Sequence, residues 1–139
     1  MSLAEAAERK RTMLRTALGP AIAAALADLE VAEVMVNPDG ALRVDRLGAG
    51  RIDTGIVLAP GEVERIIRLV ASHARAEVHV SAPIVSAELP PLEDGRAGER
   101  FEGILPPVAA APCFSIRNLA GPETFDSISR VTAPLLWRN

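Results

Sequence analysis

Apolar residues recur at helical spacing at the start of the chain. Positions 3–18 carry an apolar stripe interrupted by charged residues, which predicts an amphipathic helix. Ser2 and Glu5 form the capping-box pattern that begins such a helix. Gly19 and Pro20 break it, and Pro20 suits the first turn of a second, shorter helix. The first section of the chain is therefore predicted to be helical.

The clearest helix of the chain is predicted in its middle, over residues 60–74. Acidic residues lie near its start and basic residues near its end, which complements the helix dipole. One buried stripe recurs at i, i+3, i+4, i+7 and i+8, and consists of Val63, Ile66, Ile67, Val70 and Ala71.

Short runs rich in β-branched residues predict strands around this central helix. Residues 31–36 and 41–46 flank Asn-Pro-Asp-Gly at 37–40, a tight-turn sequence, so we expect a β-hairpin. Residues 90–98 read as a polar, mobile connection. The pattern predicts an α+β domain in which N-terminal helices precede a mostly antiparallel sheet packed against a helix. Further strands are predicted at 54–58, 84–89, 100–105 and 112–117.

The last two predicted strands carry one arginine each. If these strands pair antiparallel across their Pro-rich connection, Arg100 and Arg117 become near neighbours. Like charges opposite one another in a sheet repel, so the pair requires an anion or a carboxylate between them. A phosphate group would match the guanidinium geometry and charge. Spacing alone favours the other possibility, in which Glu88, Glu99 or Glu102 neutralises both arginines on a solvated face.

Composition narrows the class of protein. The length of 139 residues suits one domain with a real core. A net charge of −3 and only 3% aromatic residues argue against nonspecific nucleic-acid binding. The single cysteine, Cys113, cannot form an internal disulfide, which suits a reducing cytosol, and it is predicted to be a small core residue. The sequence has neither a run of eighteen apolar residues nor a secretory leader, so we expect a cytosolic protein.

Catalytic and metal-binding patterns are missing from the sequence. His73 and His79 have no cysteine or further histidine at metal-ligand spacing, so no metal site is expected. A P-loop needs a glycine-rich loop and a lysine, and the only lysine, Lys10, lies in a predicted helix without such a loop. We expect no catalytic residue in this chain alone.

A family resemblance rests on residues 98–108, which read Gly-Glu-Arg-Phe-Glu-Gly-Ile-Leu-Pro-Pro-Val, followed by Ser-Ile-Arg at 115–117. These segments resemble the amino-terminal domain of TrbB-type conjugal transfer ATPases. That family belongs to the secretion ATPases that power type IV secretion and bacterial conjugation. The resemblance continues through 33–40, 64–72 and 82–90 and covers residues 14–117 in the family's order.

The resemblance implies roles for three residues. In the family, the arginines at the positions of Arg100 and Arg117 reach the terminal phosphate of ATP bound between two domains. The asparagine at the position of Asn37 lies near the base or sugar, although capping its own turn explains Asn37 equally well. The family's P-loop lies in a second, carboxy-terminal RecA-like domain. ATP with Mg²⁺ is therefore expected as a cofactor only in the presence of that domain, and no ATP hydrolysis is expected from this chain alone.

The resemblance also divides the chain. It implies a helical section at 1–29, the secretion-ATPase amino-terminal domain at 30–118 and a divergent tail at 119–139, with the RecA-like domain absent. Asn118 stands where relatives usually carry a basic residue. A frameshift, the decay of the gene to a remnant, or recombination with other sequence would produce a tail that departs from the family in this way. Leu135, Leu136 and Trp137 would then be either docked on the domain or exposed.

The implied function is that of one domain of a hexameric ATPase that powers conjugal DNA transfer or type IV secretion. Its expected partners are further copies of itself, intact ATPase subunits and the inner-membrane secretion machinery, with no direct contact to nucleic acid. The expected location is the cytoplasm, with peripheral attachment to the inner membrane left open. A noncatalytic assembly or regulatory module and a nonfunctional gene remnant are the alternatives.

Overall fold

In the part of the chain that the structure describes, three helices and six strands form the α+β architecture that the sequence predicts. The computed structural model describes residues 2–79, 81–92 and 97–119. The element order is α1 (Leu3–Leu18), α2 (Pro20–Ala27), β1 (Val31–Val36), β2 (Ala41–Arg46), β3 (Gly50–Val57), α3 (Pro60–His73), β4 (Ile84–Leu89), β5 (Glu99–Ile104) and β6 (Cys113–Asn118).

All six strands belong to one sheet with the order β3-β2-β1-β6-β5-β4. Every neighbouring pair runs antiparallel. The last strand of the described residues, β6, lies between β1 and β5 and joins the early hairpins to the later one. This insertion brings residues far apart in sequence to directly opposite positions in the middle of the sheet.

Local signals in the sequence form as predicted at the start of α1 and at the first hairpin. Glu5 N donates to Ser2 Oγ and Ser2 N donates to Glu5 Oε1, each at 3.1 Å, which completes the capping box. Gly40 N donates to the Asn37 carbonyl at 2.8 Å and closes the turn between β1 and β2. Asp39 supplies the side-chain hydrogen bond of this turn by accepting from Ala41 N at 2.9 Å.

One face of the sheet is covered by the helices and forms the core. The predicted stripe of α3 is buried along its whole length, and α1 and α2 contribute Leu14, Leu18, Ile22 and Leu26 to the same core. The rings of Phe101 and Phe114 stack with centroids 5.4 Å apart. Full burial of one large apolar side chain stabilises the fold by about 1.5–3 kcal/mol.

A β-bulge in β1 changes which residues reach this core. The register shifts between Val31, which lies opposite Arg46, and Glu33, which lies opposite Asp45. Because side chains of an unbroken strand alternate between faces, Val31 would otherwise share a face with Glu33. The bulge instead lets Val31 join the core while Glu33 stays on the other face.

The structure corrects three sequence-based expectations. The third strand begins at Gly50, before the predicted start at residue 54. The prediction missed this start because all eight residues of β3 are exposed, so no apolar pattern marks it. Leu92 of the predicted polar connection is fully buried, and its carbonyl accepts from Arg15 Nη1 at 3.0 Å. The rest of that prediction falls partly on residues 93–96, which lie outside the described residues. Cys113 is half-buried, not a core residue.

Two further observations concern the described residues as a whole. Within residues 2–79, 81–92 and 97–119, no helix combines the length and apolar composition needed to cross a membrane. The same residues include no group of three or more His, Cys, Asp or Glu side chains arranged to hold a metal ion. The expectations for Leu135, Leu136 and Trp137 lie outside the described residues.

Candidate functional site

The face of the sheet turned away from the helices carries a line of charged side chains across all six strands. Each residue of this line lies directly opposite the next one in the sheet register. Directly opposite residues in an antiparallel pair project to the same face. We call this line the charge row; it consists of Arg51 (β3), Asp45 (β2), Glu33 (β1), Arg117 (β6), Arg100 (β5) and Glu88 (β4).

The charge row contains two like-charged pairs. Glu33 lies opposite Asp45, and Arg117 lies opposite Arg100. Like charges at opposite positions destabilise a sheet, but here each pair is flanked by opposite charges on both sides. The row therefore carries no net formal charge and its repulsions are partly offset within the sheet.

Arg100 and Arg117 are neighbours, as the sequence predicts. Arg100 Nη2 donates to Ser86 Oγ at 2.9 Å, and Arg100 Nη1 lies 3.5 Å from Glu88 Oε1. The side chains of Arg100 and Glu88 are 39% and 70% exposed, so this ion pair is screened by water and contributes little stability. The predicted carboxylate partner is thus present for Arg100, in the form of Glu88.

Arg117 lies in a different environment. It is half-buried between Arg100 on β5 and Glu33 on β1. Its Nε atom is buried and has no hydrogen-bond partner among the described residues. A buried donor without a partner is costly, so this atom is suited to an acceptor that arrives from outside the domain. A phosphate group between the two arginines stays a prediction.

The other two predicted carboxylates differ in position. Glu99 is fully buried and lies opposite Leu89 and Asn118, on the core face, so it does not lie between the two arginines. The alternation of β5 explains this, because adjacent residues project to opposite faces. Glu102 lies on the open face, where its Oε2 accepts from Ser86 Oγ at 3.3 Å.

Glu33 is the member of the site that sequence reasoning missed. Only 1% of it is exposed, and neither carboxylate oxygen has a hydrogen-bond partner among the described residues. Burial raises the pKa of Glu33 from 4.5 to about 7, although the charge of Arg117 lowers that pKa. The sequence predicts that Glu33 lies in the first strand, but the burial of its side chain depends on neighbours that are distant in sequence.

Asn37 lies at the end of β1, away from the arginines. It lines a cavity of about 90 Å³ together with Glu33, Met35 and Cys113, whereas Arg100 and Arg117 do not line this cavity. Asn37 is four residues beyond Glu33, about 13 Å along an extended strand. The cavity is smaller than the 300–1,000 Å³ usual for ligand pockets. The structure thus brings the two arginines together but does not bring Asn37 to them.

The architecture matches a secretion ATPase of known structure. The VirB11 ATPase from the Brucella suis type IV secretion system, solved in complex with sulphate, superposes on 97% of this chain with a TM-score of 0.63. The two sequences are 20% identical, and the match covers 40% of the VirB11 chain. The fold is therefore that of a domain found in this class of protein.

Two sequence relatives are conjugal transfer proteins. The chain is 44% identical over 107 residues to the probable conjugal transfer protein TrbB of Sinorhizobium fredii (strain NBRC 101917 / NGR234), and 41% identical over 107 residues to the conjugal transfer protein TrbB of Rhizobium radiobacter. No protein-family profile matches the chain. Each alignment covers 77% of this chain and 31% of the relative, so the chain spans about a third of their length. The relatives and the fold together support a TrbB-type secretion ATPase domain.

Proposed function

We propose that this chain serves as the amino-terminal domain of an ATPase in conjugal transfer or type IV secretion, with the domain proper at 30–118 after a helical section at 1–29. In this proposal Arg100 and Arg117 contact the terminal phosphate of ATP held by a separate P-loop domain. The observation that carries the proposal is the pair itself: two arginines directly opposite each other in the sheet, one with a buried donor atom that has no hydrogen-bond partner among the described residues.

The chemistry of the pair is electrostatic. Guanidinium groups beside a terminal phosphate stabilise the negative charge that develops during phosphoryl transfer. The Mg²⁺ ion that accompanies ATP would neutralise phosphate charge when bound with the P-loop domain. The sequence of this chain has no P-loop, so its own share is to bind and orient the phosphate, not to complete the reaction. Asn37 would contact the base or sugar of the same nucleotide.

Assembly is the second part of the proposal. The fold shared with VirB11 and the relation to TrbB support a ring of subunits, which we propose to be hexameric and located at the cytoplasmic side of the inner membrane. Partners would be copies of this chain or intact ATPase subunits and, through them, the secretion machinery. The net charge of −3 supports a role without direct nucleic-acid contact.

The phosphate assignment can be tested on this chain alone with inorganic tripolyphosphate, which carries the same charged groups as the ATP tail. Arg100→Ala and Arg117→Ala should each weaken binding by about ten- to a hundredfold, because a hydrogen bond to a charged group contributes about 1.5–3 kcal/mol. Binding is measured by titration calorimetry, with circular dichroism to confirm the fold.

Arg68→Ala is the matched control. Arg68 lies on α3, away from the open face, and is an exposed arginine paired with Glu64 at 2.9 Å. Its removal deletes the same charge and should leave tripolyphosphate affinity unchanged within about twofold, since exposed charges are screened. If the Arg100 and Arg117 variants bind as tightly as the Arg68 variant, the phosphate assignment is wrong.

A further inference from the structure

The strongest feature that the proposed function does not use is Glu33, the buried carboxylate of the charge row. Arg51 at one end of the row and Glu88 at the other are exposed, whereas Glu33 is 1% exposed. It lies directly opposite Arg117, yet neither Glu33 oxygen nor Arg117 Nε has a hydrogen-bond partner among the described residues. The carboxyl and guanidinium residues therefore lie opposite each other in the sheet without a hydrogen bond that joins Arg117 Nε to either Glu33 oxygen.

We propose that Glu33 is a positioning residue that tunes Arg117. When its carboxylate is ionised, it neutralises the Arg117 guanidinium and weakens anion binding at the arginine pair. When an anion binds there, an ionised Glu33 takes up one proton from solvent and becomes a neutral carboxylic acid. This inference deepens the proposed function and rests on it.

The charges around Glu33 leave its ionisation finely balanced. Arg117 from β6 and Arg51 from β3 favour the ionised form, while Asp45 from β2 and Glu102 from β5 oppose it. With two positive and two negative neighbours, burial is the largest influence and favours the neutral form. The resulting pKa of about 7 supports the proposal, because both forms are then accessible near neutral pH.

Anion binding and protonation must then strengthen each other. An anion beside Arg117 adds negative charge near Glu33 and offsets the positive charge that favours its ionised form. Both effects favour the neutral acid, so binding of the anion takes up a proton. By thermodynamic reciprocity, protonation of Glu33 raises anion affinity by the same factor. Affinity should therefore rise as the pH falls through 7.

Sulphate is the probe of choice, because it stays doubly ionised across the neutral range whereas phosphate titrates there. Its affinity for the full chain is measured at about pH 6 and about pH 8 at constant ionic strength, by NMR titration of the arginine side-chain Nε signals. Wild-type protein should bind sulphate about fivefold or more tightly at the lower pH, at the lower end of typical coupling factors. Glu33→Gln should bind tightly at both pH values.

Glu88→Gln is the charge-matched control. It also deletes one carboxylate from the charge row, beside Arg100, but leaves Glu33 in place. This variant should bind sulphate more tightly at both pH values and keep the pH dependence of the wild type. Every other side chain is the same in wild type and Glu33→Gln, so the difference in pH dependence between the two isolates Glu33.

The possible results separate this inference from the function on which it rests. A wild-type profile without pH dependence, or the same profile in Glu33→Gln, would overturn the role of Glu33, while loss of sulphate binding in Arg100→Ala and Arg117→Ala would keep the arginine pair as the anion site. Sulphate binding that survives in both arginine variants, or no saturable binding to the wild type at either pH, would overturn both proposals.

Discussion

The two faces of the one sheet are built from alternate residues of the same strands, yet they obey different rules. On the helix-covered face, Phe101, Phe114 and Ile116 are buried among other apolar side chains. On the open face, the neighbouring residues Arg100 and Arg117 belong to a row of six charges. The first face derives its stability from the amount of apolar surface that it removes from water. The second depends on the order of its charges, because a single altered sign changes the balance for all its neighbours.

The largest effect should come from breaking the covered face. Phe101→Ala removes a fully buried ring that stacks on Phe114, and should lower the free energy of unfolding by about 3–5 kcal/mol. The adjacent residue, Glu102, projects to the open face, and Glu102→Ala should change it by less than about 1 kcal/mol. Urea denaturation of both variants measures the contrast. Equal losses of unfolding free energy in the two variants would contradict this difference between the two faces.

The second effect concerns the buried charge of the open face. Since the pKa of Glu33 rises from 4.5 in the unfolded chain to about 7 in the folded domain, the folded state binds the extra proton. Its contribution to stability is thus fully present below pH 4.5 and is lost as the pH rises towards 7. The loss amounts to about 3 kcal/mol.

Glu33→Gln isolates that contribution. The variant should lack this loss, so its stability relative to the wild type should rise between about pH 5 and pH 8 by a similar amount. Urea denaturation across this range gives both curves. Parallel curves for the wild type and the variant would mean that Glu33 titrates in the folded domain as it does in the unfolded chain.

The smallest expected effect on stability concerns two glycines, one in the contact between the sheet and α3 and one near the start of α3. A Cβ on Gly103 would lie 3.0 Å from Ile67 Cγ1 and 3.0 Å from Phe101 Cε1, where α3 meets the sheet. Gly103→Ala should therefore destabilise the fold by about 1–3 kcal/mol through overpacking. A Cβ on Gly61, near the start of α3, meets open space, so Gly61→Ala should be neutral or stabilise by up to about 1 kcal/mol. Thermal unfolding distinguishes the two, and a stable Gly103 variant would indicate a looser contact between α3 and β5.

Much of the fold could be predicted from local pattern. The stripe of α3, the turn at Asn37 and the pairing of Arg100 with Arg117 all depend on spacing within one element or one hairpin. The burial of the helix-covered face is also predictable, because many apolar residues indicate it independently. The α+β class therefore follows from the sequence without knowledge of the strand order.

The rest depends on contacts between distant segments. The burial of Glu33 requires β6 to lie beside β1, and no local signal specifies that insertion. Leu92 looks like part of a polar loop until α1 is placed against it. The start of β3 is hidden because an exposed strand has no apolar alternation. The phosphate role of the arginines comes from family resemblance and stays a prediction until it is measured.

The position of Cys113 makes the open face accessible to chemistry. It is the only cysteine in the sequence, and it lines the small cavity beside Asn37 and Glu33. Burial raises the pKa of its thiol, so labelling should proceed slowly at neutral pH and faster in mildly alkaline solution. A single fluorophore or spin label could therefore be attached within a few residues of the charge row without altering any of its members. The native chain thus carries its own attachment point for a reporter of whatever approaches that face.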